Sequence, residues 1–315
     1  MKVVYITSSS YSGSTMLSFL LNTHPDIFTV GEMDGWRYDP ARPFPCSCGQ
    51  PLPQCPLFLY LGRYFRDRGL AFEPSEFGTA YRVAATGRLN RALVGSLPRP
   101  FALSVLEDAR DGVVWRMPPF AAQLRAIDER NRVFIEGALA YSGAKVFVDA
   151  CKDPHRLHHL RRIEGIELFP VHLVRDLRGV VQSNLDLKKR GWDARVATRI
   201  WISDQCNIHR VLSRFSPSLH VFYEDICDDV DGRIAAIHRL AGLPPHAYPG
   251  SLKAREHHVL GNAMRLSNVT QIVKSEQWRE RMSKDDLAAV ESDAARFVRR
   301  HPRHAVSAMI ERYLD

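Results

Sequence analysis

The chain has 315 residues, 45% hydrophobic and 25% charged, which is ordinary globular composition with ample material for a core. Its net charge of +8 suits an anionic ligand or an acidic partner, yet no basic stripe interleaved with aromatics points to nucleic acid; the longest basic cluster, Lys188-Lys189-Arg190, reads as a solvated helix end. No window approaches about 18 uninterrupted apolar residues, so no transmembrane helix is expected.

Val3 to Ile6 form an apolar, β-branched run that fits a buried strand of a parallel sheet. With no leader ahead of this strand, a signal peptide is not expected. Thr7 to Ser14 are Ser, Thr or Gly apart from Tyr11. From Ser14 onward Met16, Leu17, Leu20 and Leu21 recur at helical spacing, with Ser14 or Ser12 as N-cap, until His24-Pro25 stops the helix. A strand, a hydroxyl-rich loop and a helix N-terminus in that order make an anion site from free amides and the helix dipole. It is not a Walker A loop, because Gly13 stands alone and no lysine follows it. A turn that binds nothing is the plain alternative.

Residues 33–56 form a Cys- and Pro-rich loop containing C-x-C-G-x5-C, too long to be mere connection. Cys46, Cys48 and Cys55 could ligate zinc with a fourth ligand from elsewhere, or serve as packing thiols or a disulfide after oxidation. The six cysteines do not make a disulfide framework, so a reducing cytoplasm is the expected location. Residues 57–140 look mainly helical, over Leu57 to Phe65, Phe77 to Leu97, and from Pro118-Pro119 to Tyr141 with a break; they read as an insertion that shapes the acceptor site.

After Gly143, strands and helices alternate. Lys145 to Val148, Leu168 to Val174 and Leu219 to Tyr223 read as strands, the last ending at Glu224-Asp225, and helices follow over 177–188, Asp193 to Arg214 and, after that last strand, up to Ala241, with Gly242 as C-cap. The pattern predicts an α/β fold, a central parallel sheet with flanking helices joined by right-handed crossovers. Ligands of such sheets sit beyond the carboxyl ends of the strands. The polar clusters Ser8 to Thr15, Lys152-Asp153, Arg175-Asp176 and Glu224-Asp225 should therefore share one edge. The tail carries His257-His258, Gly261-Asn262, Arg265 and a last helix over Lys284 to Arg300.

Arg175 ends a strand and Ser183 lies two turns into the next helix; a guanidinium fork with a hydroxyl on the same side could hold a phosphate, and the plain alternative is a surface ion pair of Arg175 with Asp176, or an Arg178 surface pair, with Ser183 solvated. The S-G-S-T loop together with R-D-x-R-x4-S resembles the sulfotransferases that use 3′-phosphoadenylyl sulfate (PAPS). In that family the first element looks like the 5′-phosphosulfate loop and the second like the 3′-phosphate site. H-P-D-x4-G-E, His24 to Glu32, is similar to tyrosylprotein sulfotransferases, where the glutamate is the general base. Cys151 to Pro154 is similar to their segment carrying a transition-state lysine, and Tyr223-Glu224-Asp225 to a common strand end. The C-x-C-G-x5-C-P loop and the tail H-H-x-x-G-N-x-x-R resemble bacterial members.

The resemblance implies a P-loop-NTPase-like sulfotransferase fold in one domain, 1–315. It implies PAPS as co-substrate, held by Tyr11, Ser12, Gly13, Ser14, Thr15, Arg175, Ser183, Gly261, Asn262 and Arg265. Glu32 and Lys152 would be catalytic, with no metal required for the transfer. One departure is Tyr11, where relatives place Lys or Arg; a tyrosine supplies no positive charge at neutral pH. The acceptor hydroxyl, on a small molecule, a glycan or a peptide, is not readable, nor is the oligomeric state. The alternatives are a P-loop-like nucleotide kinase and a catalytically weak protein that only binds PAPS or its product, adenosine 3′,5′-bisphosphate (PAP).

Overall fold

A computed structural model describes residues 1–33, 44–97, 102–187, 191–252, 257–259, 261, 263–266 and 271–314. In chain order the elements are β1 (Lys2–Ser8), α1 (Ser14–Leu21), β2 (Ile27–Thr29), α2 (Pro56–Arg66), α3 (Gly87–Val94), α4 (Ser104–Val114) and α5 (Pro118–Ser142). There follow β3 (Val146–Lys152), α6 (Pro154–Leu160), β4 (Glu167–Val174), α7 (Leu177–Asp186), α8 (Ala194–Leu212), β5 (Leu219–Phe222), α9 (Tyr223–Asp228) and α10 (Val230–Leu240). The last three helices are α11 (Trp278–Arg281), α12 (Lys284–Arg300) and α13 (Ala305–Leu314).

The five strands form one parallel sheet in the order β2-β3-β1-β4-β5. β1 is central because it can be: Val3, Val4, Tyr5 and Ile6 are fully buried, and only a run apolar on both faces suits a strand covered on both sides. Alternation divides these side chains. Val4 and Ile6 join the core built with Leu17, Leu20 and Leu21 of α1 and Ile234 and Ile237 of α10. Val3 lies on the opposite face with Phe58, Leu61 and Phe65 of α2 and Phe134 of α5. From β1 the chain moves outward to β2 and returns through β3, whereas β4 and β5 extend the other side. The crevice between the carboxyl ends of β1 and β4 is therefore where the chain reverses direction across the sheet, the place where such folds bind ligands.

Several expectations require correction. The stretch read as a helix over 77–97 is helical only over Gly87–Val94, because the Thr86 hydroxyl caps Leu89 N and starts the helix there. Before it, Asn90 Oδ1 accepts from Val83 N at 2.7 Å, and Gly78 takes a left-handed φ of 68°. α5 runs unbroken. β5 ends at Phe222, one residue early, and the single helix read between that strand and Ala241 is two, divided where Asp229 caps α10 through Gly232 N. Neither the three-residue β2 nor α13 is apparent from the sequence pattern. Lys188-Lys189-Arg190 lies outside the described residues. Among the described residues no helix is long and apolar enough to cross a membrane.

Candidate active site

The loop after β1 turns into α1 at Gly13, which is itself the N-cap, at φ 92°. Neither expected serine caps the helix: no side chain bonds its first turn, and Ser12 Oγ is 2.8 Å from Ser9 Oγ instead. The amides of a helix's first turn point toward its N-terminal end, the place where helices bind anions. A side chain at position 13 would be excluded twice, by the φ and by Tyr223, whose Cδ2 lies 2.6 Å from where a Cβ would stand. The Tyr223 ring is pinned in turn. Its hydroxyl donates to Val273 O at 3.2 Å and accepts from Ser275 N at 3.0 Å. Burial pushes the phenol up to about 12.

At the end of β4, the Arg175 guanidinium lies over the Tyr223 ring, 4.6 Å from its centroid. Nη1 donates to Tyr11 O at 2.8 Å and Nη2 to Ser275 O at 3.0 Å. Arg175 makes no surface pair with Asp176, whose carboxylate instead caps α7 and holds Arg178 at 2.8 Å. Ser183 Oγ donates back to Gly179 O at 2.9 Å and lines the cavity, where turning the hydroxyl would let it donate to an anion instead.

Lys152, at the end of β3, takes a left-handed φ of 69° and its ammonium pairs with Glu32. Asp153, the neighbour with which a surface lysine would pair, instead caps α6 through His155 N at 2.8 Å. Both members of the Lys152–Glu32 pair are mostly buried. Glu224 serves structure, accepting from Asp176 N at 3.1 Å and from the Tyr313 hydroxyl at 2.7 Å.

One cavity of about 470 Å³ collects these groups. Its walls include Tyr11, Gly13, Ser14 and Thr15 from the loop, Arg175 and Ser183 from β4 and α7, and Glu32 and Lys152. Gly261 also lines it, where a Cβ would stand 2.9 Å from Thr15 Oγ1. Ser12 is buried beneath the loop and does not line it. Asn262 and the Arg265 side chain lie outside the described residues. Sequence reasoning missed Gln271, Val273 and Ser275, wall residues from a segment without a motif, and placed Ser10 in the polar loop without singling it out. His24, read as a helix-end residue, is one: its Nδ1 accepts from Asp26 N at 3.0 Å.

A second cavity of about 240 Å³ shares Ser10 and Lys152 with the first. Its other described walls are Ser8 at the end of β1, Asp153 and the start of α6 through His155, and Asp204, Asn207 and Ile208 of α8.

Searches of known proteins return structures only. The sulfotransferase domain of the Synechococcus PCC 7002 olefin synthase is 18% identical, with 93% of this chain and 94% of that chain covered at a TM-score of 0.49. The sulfotransferase domain from the curacin biosynthetic pathway is 16% identical over 96% and 98% of the two chains, also at 0.49. Retinol dehydratase, solved with retinol and PAP, is 14% identical over 94% and 81%, at 0.42. Likeness at this level assigns no activity to the chain. No family model and no curated protein matches.

Away from the cavity, Cys46, Cys48 and Cys55 gather with His257, their ligand atoms all within 4.8 Å of one another. None of the six cysteines is in a disulfide.

Proposed function

We propose that this protein transfers the sulfuryl group of PAPS to an acceptor hydroxyl and releases PAP. The observation that carries the reading is the sharing of one cavity by three groups: an amide-rich helix N-terminus, an Arg–Ser pair at the neighbouring strand end, and a buried Lys–Glu pair. Each matches one demand of the reaction. The amides of residues 13–15 hold the 5′-phosphosulfate. Arg175 and Ser183 hold the 3′-phosphate, which distinguishes PAPS from ordinary adenylates. Glu32 takes the acceptor proton as the acceptor oxygen attacks sulfur. The S–O bond to the 5′-phosphate breaks, and Lys152 neutralises charge on the leaving oxygen, which makes up for the cation that Tyr11 does not supply. The second cavity reaches the same lysine, so it is the side from which an acceptor arrives.

Calorimetry tests the donor half. PAP should bind far more tightly than AMP, and Arg175→Ala should weaken PAP by roughly 10- to 100-fold, the worth of about 1.5–3 kcal/mol for hydrogen bonds to a charged group. Equal affinity for PAP and AMP would sink the assignment and favour the kinase reading. Labelled-donor assays test the chemical half: Glu32→Gln should keep PAP affinity and lower turnover by about 10²- to 10⁴-fold. Unchanged turnover would remove Glu32 from the role of base.

A further inference from the structure

We propose that Cys46, Cys48, Cys55 and His257 form a closed, structural zinc site, one that ties the Cys-rich loop to the segment running into Gly261. The ligand atoms all lie within 4.8 Å of one another, and three of their separations are near those of a tetrahedral site. Cys48 Sγ and Cys55 Sγ are 3.8 Å apart, and His257 Nδ1 is 3.2 Å from Cys55 Sγ and 3.8 Å from Cys46 Sγ. Tetrahedral bonds of about 2.3 Å to sulfur and 2.0–2.1 Å to nitrogen give edges of roughly 3.8 and 3.5 Å.

Three local features aim the ligands. The chain from Phe44 to Leu52 is a tight hairpin closed by Leu52 N to Phe44 O and Cys46 N to Gln50 O, at 3.0 and 2.9 Å. Gly49, at φ 84°, completes its turn and brings Cys46 and Cys48 to the same side. His257, 202 residues beyond Cys55, holds φ at 79°, a conformation that a non-glycine residue adopts only where its surroundings demand it. The third feature is the other ring nitrogen. His257 Nε2 is 3.1 Å from the Tyr141 hydroxyl, which can accept from Nε2–H in the tautomer that leaves the Nδ1 lone pair for a metal, the outer-shell support that metal-bound imidazoles generally have.

Four protein ligands leave no open position, so the ion would stabilise the fold and not act on substrate. The strap it would fix is specific. His258 N donates to Ser47 Oγ at 2.8 Å, Val259 N to Val30 O at 2.8 Å, and His258 Nε2 meets Ser18 Oγ of α1 at 2.9 Å. Two residues on, Gly261 lies against Thr15.

Metal content of the full chain, expressed with zinc present and purified without chelators, tests the site and does not depend on whether PAP binds. Elemental analysis should find about one zinc per chain, and cobalt in its place should give thiolate charge-transfer and tetrahedral ligand-field bands. Cys55→Ser and His257→Ala should each abolish this binding. Stripping the zinc should speed hydrogen exchange at the His258 and Val259 amides. A chain that binds no zinc, that carries a disulfide between these cysteines by mass spectrometry, or that keeps full zinc in both variants would overturn the site. Exchange unchanged on stripping would overturn the strap. The cobalt spectrum of the unaltered protein decides the matter even if a variant fails to fold.

Discussion

At the scale of single residues, the site turns on close approach. Gly13 sits where the loop must turn with a positive φ and where Tyr223 leaves no room for a Cβ. Adding one methyl group costs about 1–2 kcal/mol for the backbone alone, and the clash displaces a ring that supports Arg175. Gly13→Ala should therefore weaken PAP binding at least 10-fold, and Gly13→Ala with Tyr223→Leu should recover part of that loss. A calorimetric titration of both variants checks this; no recovery in the double variant would mean that the backbone strain is the whole effect. Tyr11 is the residue at which motif reading expected a cation. Its carbonyl is what engages Arg175.

At the scale of elements, the sheet and the helical stretch before it are joined by a buried ionic knot. The Arg156 guanidinium, on α6, donates to Asp149 Oδ2 of β3 at 2.9 Å, to Thr79 O at 2.6 Å and to Asn131 Oδ1 of α5 at 2.6 Å. All four residues are buried. Removing one partner strands a buried charge, so Arg156→Ala should cost about 3–5 kcal/mol, read as a lower urea midpoint. Asp149→Ala added to it should cost little more, since the charge left unpaired has gone. Additive losses would show that the two residues act separately. Nothing in the C-K-D-P-H-R sequence marks this arginine as different from its neighbours Arg161 and Arg162. Its role appears only when β3 and α5 are brought beside it.

At the scale of the whole molecule, buried imidazoles set the acid limit of stability. Burial pulls His159 down to about 4, where its Nε2 meets Val94 O at 2.8 Å. Burial, with His220 beside it, pulls His172 down to about 3. Both stay neutral in the fold, whereas in the unfolded chain they take up protons below pH ~6.5. Stability should therefore be level from about pH 8 to 7 and should fall as pH drops from about 6.5 toward 4, each group costing on the order of 3 kcal/mol at the acid end. Thermal melts across that range check the sign, and His159→Gln or His172→Gln should flatten the curve. A melting temperature that rises on acidification would contradict it.

The α/β class, the parallel sheet and the polar clusters that follow its strands were legible in the sequence, because a strand buried on both faces must be a continuous apolar run and its polar exit marks the carboxyl edge; the end of β3 was not, since it runs on to Lys152 rather than stopping at Val148. Pairing partners were not legible. Glu32 and Lys152 are 120 residues apart, and only the adjacency of β2 and β3 brings them together. His257 is 202 residues from Cys55, and Tyr223 had a motif but no stated neighbour until α9 carried its ring against Gly13. Local propensity and periodicity are properties of neighbours along the chain, so the sequence by itself determined the elements and their polar ends. Distances across the sheet depend on strand order and on which faces pack, and those the tertiary structure alone decided.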